Sequence, residues 1–260
     1  MNREREPLPT HVRDTAHLPP EYDVALVAGL TGLGVTLPAH ARAAIDGHIR
    51  LLLAWNTAIN LTAIRDPATA ATAHVIDSLS ALAVLHARNI ERFVDLGSGG
   101  GLPGVPLAVA LPATDVLIAE PIGKKARFLT TAVAAIGLAA RVRVATERGE
   151  ALAGDARHRG RWSAVTARAV ASTSDLVELA FPLLERGGFL VAWKRGELAD
   201  ELHAAGRAVD ALGGGTIEVL DVARGALPAL AGHCLVVATR TGRVPDGYPR
   251  DPAIRKRRPW

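Results

Sequence analysis

Apolar residues recur along the chain at two different periods, and the change from one to the other divides it. In residues 40–61, Ile45, Ile49, Leu52, Leu53 and Ile59 follow at spacings that place them on one face of a helix. A second helical pattern covers residues 74–85. Residues 1–20 carry prolines and charges with little apolar periodicity, and they read as a loose leader.

The texture changes at Arg92. Short β-like runs follow at residues 92–96, 116–120, 141–146, 163–168, 189–194, 217–222 and 234–239. Helical stretches separate the first five, one of them opened by Ser172-Thr-Ser-Asp175, a capping-box signature. Strand and helix in regular alternation predict parallel β-α-β units with right-handed crossovers and a ligand at the carboxyl ends of the strands.

Composition narrows the class. The 260 residues are 49% hydrophobic and 22% charged, ordinary for a folded protein with a sizeable core. One cysteine, Cys234, excludes a disulfide framework and reads as a small buried apolar side chain. The amino terminus lacks the apolar core of a signal peptide, and the uncharged stretch 98–114 holds three prolines and four glycines, which makes no membrane-spanning helix. These readings predict a cytoplasmic protein without a membrane partner. Nine histidines fall without metal-site spacing, so no metal is expected. The net charge of +4 permits a polyanionic partner without establishing one. Five basic groups sit in the last eleven residues, and they read either as a solvated tail or as phosphate contacts.

The most informative segment is Phe93-Val-Asp95-Leu-Gly97-Ser-Gly99-Gly-Gly101-Leu102-Pro-Gly104. A buried strand passes into alternating glycines and then into a helix-compatible apolar run. Glycines allow close main-chain approach to a ligand, and the helix amino terminus offers unpaired N–H groups. Gly99-x-Gly101-x-x-Gly104 also satisfies a dinucleotide fingerprint, with Glu120 roughly 20 residues on to hold a ribose, so an NAD(P)-dependent oxidoreductase stays open. Asp95 favours the other reading. An acid beside the loop suits the ammonium and sulfonium of S-adenosyl-L-methionine and repels phosphates.

Thr166-Ala-Arg168 and Trp193-Lys194-Arg195 follow the fourth and fifth runs and face the same crevice in such a fold. Arg168 and Lys194 offer fixed positive charge for a phosphate or for the acceptor edge of guanine. Guanine N7 carries a lone pair and no proton, so its methylation requires alignment rather than a general base. Arg168 could equally form a structural salt bridge, and Lys194 a solvated strand end. His74 and Asp77, one helical turn apart, read first as an ordinary surface pair.

Taken together, the sequence resembles the bacterial 16S rRNA guanine-N7 methyltransferase family RsmG, also called glucose-inhibited division protein B. The resemblance rests on Asn60-Leu-Thr-Ala-Ile-Arg-Asp-Pro67, His74-Val-Ile-Asp-Ser78, Phe93 to Pro106, Gly123-Lys-Lys-Ala-Arg-Phe-Leu129, Arg168-Ala-Val-Ala-Ser172, Trp193-Lys194 and Tyr248-Pro-Arg-Asp-Pro252. It implies a class I methyltransferase fold, Rossmann-like and doubly wound, with a mostly parallel seven-stranded α/β sheet. The implied domains are a leader (1–20), a helical extension packed on the core (21–90), an S-adenosylmethionine-dependent domain (91–242) and a basic tail (243–260).

The implied activity is methylation of guanine 527 in the 530 loop of 16S rRNA, on the RNA or the small ribosomal subunit, by a monomeric enzyme. Carried over by position, the donor contacts Asp95, Gly97, Gly99, Gly101, Leu102, Glu120, Gly149, Glu150 and Arg168. Lys124, Lys125, Arg127, Lys194, Arg195, Arg255, Lys256, Arg257 and Arg258 are the RNA-binding candidates. On this reading loss of the tail weakens RNA binding and leaves donor affinity alone, and a non-catalytic RNA-binding protein is the remaining rival. The Arg159–Arg161 region matches nothing in the family pattern.

Overall fold

The structure is a computed structural model that describes residues 7–222 and 227–260. Seven strands form one sheet: β1 (Arg92–Leu96), β2 (Asp115–Ala119), β3 (Val142–Ala145), β4 (Trp162–Arg168), β5 (Leu184–Arg195), β6 (Gly215–Asp221) and β7 (His233–Arg240). Their order is β3-β2-β1-β4-β5-β7-β6. The first five pair in parallel, and β7 runs antiparallel to both β5 and β6. This is the doubly wound, mostly parallel sheet of a class I methyltransferase. Each apolar run of the sequence is a strand here. β5 starts earlier than its apolar run, because Leu184 already pairs with Trp162 across a register shift.

Helices α1 (Pro20–Leu33), α2 (Ala39–Trp55) and α3 (Pro67–Ala87) precede the sheet. The periodicity carried α2 to residue 61, but the helix stops at Trp55. Asn56 takes over: its Oδ1 accepts from Leu61 N at 2.9 Å and Thr62 N at 3.1 Å, and its Nδ2 donates to the Thr62 carbonyl at 2.9 Å. A polar side chain that satisfies main-chain groups a few residues on competes with helix continuation. Asp66 caps α3, accepting from Thr69 N at 2.7 Å. By length and composition α3 could cross a membrane, yet it packs into the protein and buries His74 and Asp77.

These helices share one apolar core with a face of the sheet, where Leu26, Ile45, Leu52 and Val75 meet Phe93, Ile118 and Val191. The other face buries Val94, Leu117 and Val165 against Leu176 and Val177. The expected loose leader is a correction from residue 7 onward, while residues 1–6 lie outside the described residues. Leu8, Val12 and Leu18 pack on the core. Trp55 Nε1 donates to the Pro9 carbonyl at 2.8 Å, and Arg50 donates to the carbonyls of Thr15 and Ala16. Isolated apolar anchors in an extended segment leave no periodic trace.

Candidate functional site

The carboxyl ends of β1, β2, β4 and β5 open on one edge of the sheet, and the glycine loop leaves β1 there. Gly97 takes φ +67°, and a Cβ on it would stand 2.8 Å from Val170. Only glycine allows both the conformation and the approach. The helix α4 (Gly104–Ala110) follows.

Asp95 does not stand at the rim of this crevice, which corrects the expectation drawn from its position. It is wholly buried on the same sheet face as Phe93. Its Oδ1 accepts from Thr166 Oγ1 at 2.7 Å, and its Oδ2 accepts from Gly104 N at 3.0 Å and from Ser98 Oγ. Burial pushes its pKa up to about 6 against the pull of these donors and of Arg168. Asp95 shapes the loop from beneath.

Glu120, directly after β2, braces the loop from the side. Its Oε2 accepts from Gly99 N and its Oε1 from Ile122 N, each at 2.9 Å. Glu120 is buried and lines none of the three hollows along this edge, and of a carboxylate's about four lone-pair positions these main-chain donors take two. Gly101 lies below the loop beside His48, whose Nε2 donates to the Gly100 carbonyl at 2.8 Å. Burial lowers the His48 pKa to about 4.

Three hollows follow one another along this edge. The largest, about 630 Å³, is lined by Gly97, Gly149, Glu150, Leu179, Arg255 and Trp260 among others. A cleft of about 240 Å³ lies against Gly97, Gly99, Leu102, Lys125 and Arg168. A third, about 430 Å³, holds Arg168, Trp193, Lys194, Arg195 and His233. Gly97 lines the first two and Arg168 the last two, so the three adjoin.

Neither Arg168 nor Lys194 is a loose cation. Arg168 Nη1 donates to Asp77 Oδ2 at 2.7 Å and to the Ala73 carbonyl at 3.0 Å, and His233 Nδ1 lies 3.0 Å from Asp77 Oδ1. Lys194 Nζ donates to Glu201 at 2.5 Å and to the Ala171 carbonyl at 2.8 Å. His74 and Asp77 are buried rather than a surface pair. His74 Nε2 lies 2.7 Å from Thr62 Oγ1, and burial followed by the Arg168 charge lowers its pKa to about 4.

The other candidates scatter. Lys124 is exposed, and Arg127 lies 5.8 Å from the Trp55 ring centroid, outside the lining of the crevice. Cys234 is half-buried. The basic tail is part paired and part solvated. It folds as α9 (Pro252–Arg257), numbered after α5 (Gly123–Ala135), α6 (Gly149–Gly154), α7 (Thr173–Ala180) and α8 (Ala199–Ala211). Arg250 pairs with Glu178, Arg255 pairs with Glu150, and Lys256 lines the largest hollow, while Arg257 and Arg258 stay exposed. Glu178 carries no motif in the sequence, and the partners of Ser98, Thr166 and Asp77 emerge only from the packing.

The profile of the GidB family, described as rRNA small subunit methyltransferase G, matches residues 42–226. The chain belongs to the GidB family. Among relatives named ribosomal RNA small subunit methyltransferase G, the protein of Chloroflexus aggregans is 38% identical over 234 residues, covering 90% of this chain and 96% of its own length. That of Rubrobacter xylanophilus is 41% identical over 212 residues, 80% of each chain. That of Dehalococcoides mccartyi is 35% identical over 235 residues, 90% of this chain and 98% of its own. Among solved structures, an S-adenosylmethionine-dependent O-methyltransferase of Thermotoga maritima aligns at 16% identity and TM-score 0.49 over 75% of this chain and 73% of its own. The GidB match takes in the glycine loop, Glu120, Glu150, Arg168 and Lys194, and ends before the tail.

Proposed function

We propose that this GidB-family protein transfers the methyl group of S-adenosylmethionine to N7 of a guanine in 16S rRNA, in the cytoplasm, on the RNA or the small ribosomal subunit. The observation that carries the reading is the row of three adjoining hollows, in which Gly97 and Arg168 are the shared walls between the hollow beside Glu150 and the hollow beside Lys194.

The large hollow suits a nucleoside-sized donor, since ligand sites typically run to roughly 300–1,000 Å³. Gly97 and Gly99 let main chain approach it, Glu120 offers acceptor oxygens to ribose hydroxyls, and Gly149 with Glu150 flank the adenine end. When bound, the donor supplies an electrophilic methyl on a sulfonium. The chain's part is alignment. Asp77 fixes Arg168 and Glu201 fixes Lys194, so both cations meet the acceptor guanine or its phosphate already oriented. The Gly99 N–H is occupied by a carboxylate, which disfavours a diphosphate over the loop.

The test is incubation of the purified protein with unmodified 16S rRNA or small subunits and labelled donor, followed by mapping of the product. Label at a guanine N7 is expected. Its absence from both substrates ends this reading.

A further inference from the structure

The C-terminal segment closes one end of the hollow assigned above to the donor. Two of its residues meet on Glu178, a wholly buried carboxylate of α7. Arg250 Nη2 donates to it at 2.6 Å and Arg250 Nε at 3.0 Å, and Trp260 Nε1 donates to it at 2.8 Å. The Arg250 guanidinium lies 4.3 Å from the Trp260 ring centroid. The segment is therefore pinned on both sides of α9, and Pro252, Arg255, Lys256 and Trp260 reach the wall of the hollow.

From α9, Arg255 Nη2 pairs with Glu150 Oε1 on α6, beside the position expected at the adenine. Arg255 Nε is buried and has no hydrogen-bond partner. A buried N–H left without an acceptor is costly, and because Arg255 lines the adjoining hollow, a small shift of its side chain lets a ligand there accept from it. Place decides which end of the donor this is. Arg255 sits on Glu150, at the end read as the adenine's, where ring nitrogens and ribose oxygens are neutral acceptors; the methionyl carboxylate, the one donor group that Arg255 and Lys256 would attract, is tied to the ammonium at the opposite end.

Resting on the donor reading above, we propose that Arg255 is a donor-binding residue whose Nε–H donates to an acceptor on the nucleoside end, and that the C-terminal segment is a wall of that subsite. Glu150 orients the guanidinium, and Arg250, Glu178 and Trp260 hold the segment in place. This replaces the expectation that the tail serves RNA alone.

Calorimetry on the full chain tests it, with S-adenosylhomocysteine and with adenosine as ligands. Arg255→Gln should weaken both by about tenfold, the loss of one hydrogen bond from a charged donor. Arg255→Lys keeps a cation facing Glu150 but lacks the Nε–H, and it should lose as much. The melting temperature of each free variant reports whether the segment stays folded, since its anchor at Glu178 is untouched. Unchanged or tighter binding in Arg255→Gln overturns the proposal, as does full affinity in Arg255→Lys, which would leave only the ion pair. If the unaltered protein binds neither ligand, the donor reading itself falls.

Discussion

Gly104 N donates to Asp95 Oδ2 at 3.0 Å, and a Cβ at position 104 would stand 2.6 Å from that same oxygen. One carboxylate at the end of β1 thus ties the start of the glycine loop to the helix that follows it. The contact leaves no room for any residue but glycine at 104.

Gly104→Ala should destabilise the protein by about 1–3 kcal/mol through overpacking. Asp95→Ala should cost a similar amount, about 1–3 kcal/mol, by leaving buried donors unpaired. The double variant separates this contact from general fragility. Removing the carboxylate makes space for the new methyl, so the two costs should add to less than their sum in urea unfolding. Strict additivity would contradict the contact.

Asp77 holds Arg168 and His233 at once, and its side chain is only 5% exposed against 14% for Arg168. Breaking such a pair by removing one partner is expensive, about 3–5 kcal/mol. Asp77→Ala should therefore lower stability by an amount in that range, read from denaturant midpoints. A loss below 1 kcal/mol would mean that the pair is a surface contact.

Glu120 braces the loop through both oxygens, and the proposed donor site asks the same two to accept from ribose hydroxyls. Glu120→Gln keeps the shape but turns one acceptor into an amide donor facing main-chain N–H groups. Affinity for S-adenosylhomocysteine should fall by about 1.5–3 kcal/mol, the worth of hydrogen bonds to a charged group. Equal affinity in calorimetry would remove Glu120 from the donor site.

The strands and the loop were legible because their signals are local. Phe93, Val94 and Leu96 form a buried run, and the alternating glycines directly after it mark a turn. Asp95 was misread because the sequence gives its place in the strand but not which face of the sheet the helices cover. The two ion pairs of the tail were out of sight for a different reason. A run of cations looks the same in solvent as when spent on acids, and Arg250 meets its acid 72 residues away in the chain. His48 reaches Gly100 across 52 residues, with no motif to announce it.

Protonation should loosen this architecture from two sides. His48 and His74 have folded pKa values of about 4 against 6.5, so the unfolded chain binds more protons between those limits. Their contribution is complete above pH 6.5 and is lost as pH falls toward 4. Asp95 works in the opposite direction: its folded value of about 6 against 3.8 means that stability is recovered as pH falls through that window. Two histidines against one aspartate leave a net loss on acidification, about 1.4 kcal/mol per pH unit per proton. Both imidazoles should remain neutral at pH 5 by NMR, and titration of either near 6.5 would refute its burial.

Salt dependence of RNA affinity distinguishes cations that meet phosphate from those already neutralised. Lys124 and Arg195 are exposed, and no carboxylate pairs with either among the described residues. Arg255 is paired with Glu150. Each phosphate contact contributes about 0.7 to the slope of log affinity against log salt for single-stranded RNA and about 0.9 for a duplex. Lys124→Gln and Arg195→Gln should therefore each flatten the slope by nearly one, while Arg255→Gln changes it little, because that guanidinium releases no counterion. An unchanged slope in Arg195→Gln would place the RNA backbone away from the end of β5. A slope that falls in Arg255→Gln as steeply as in the other two would return the tail to the role its charge run first suggested.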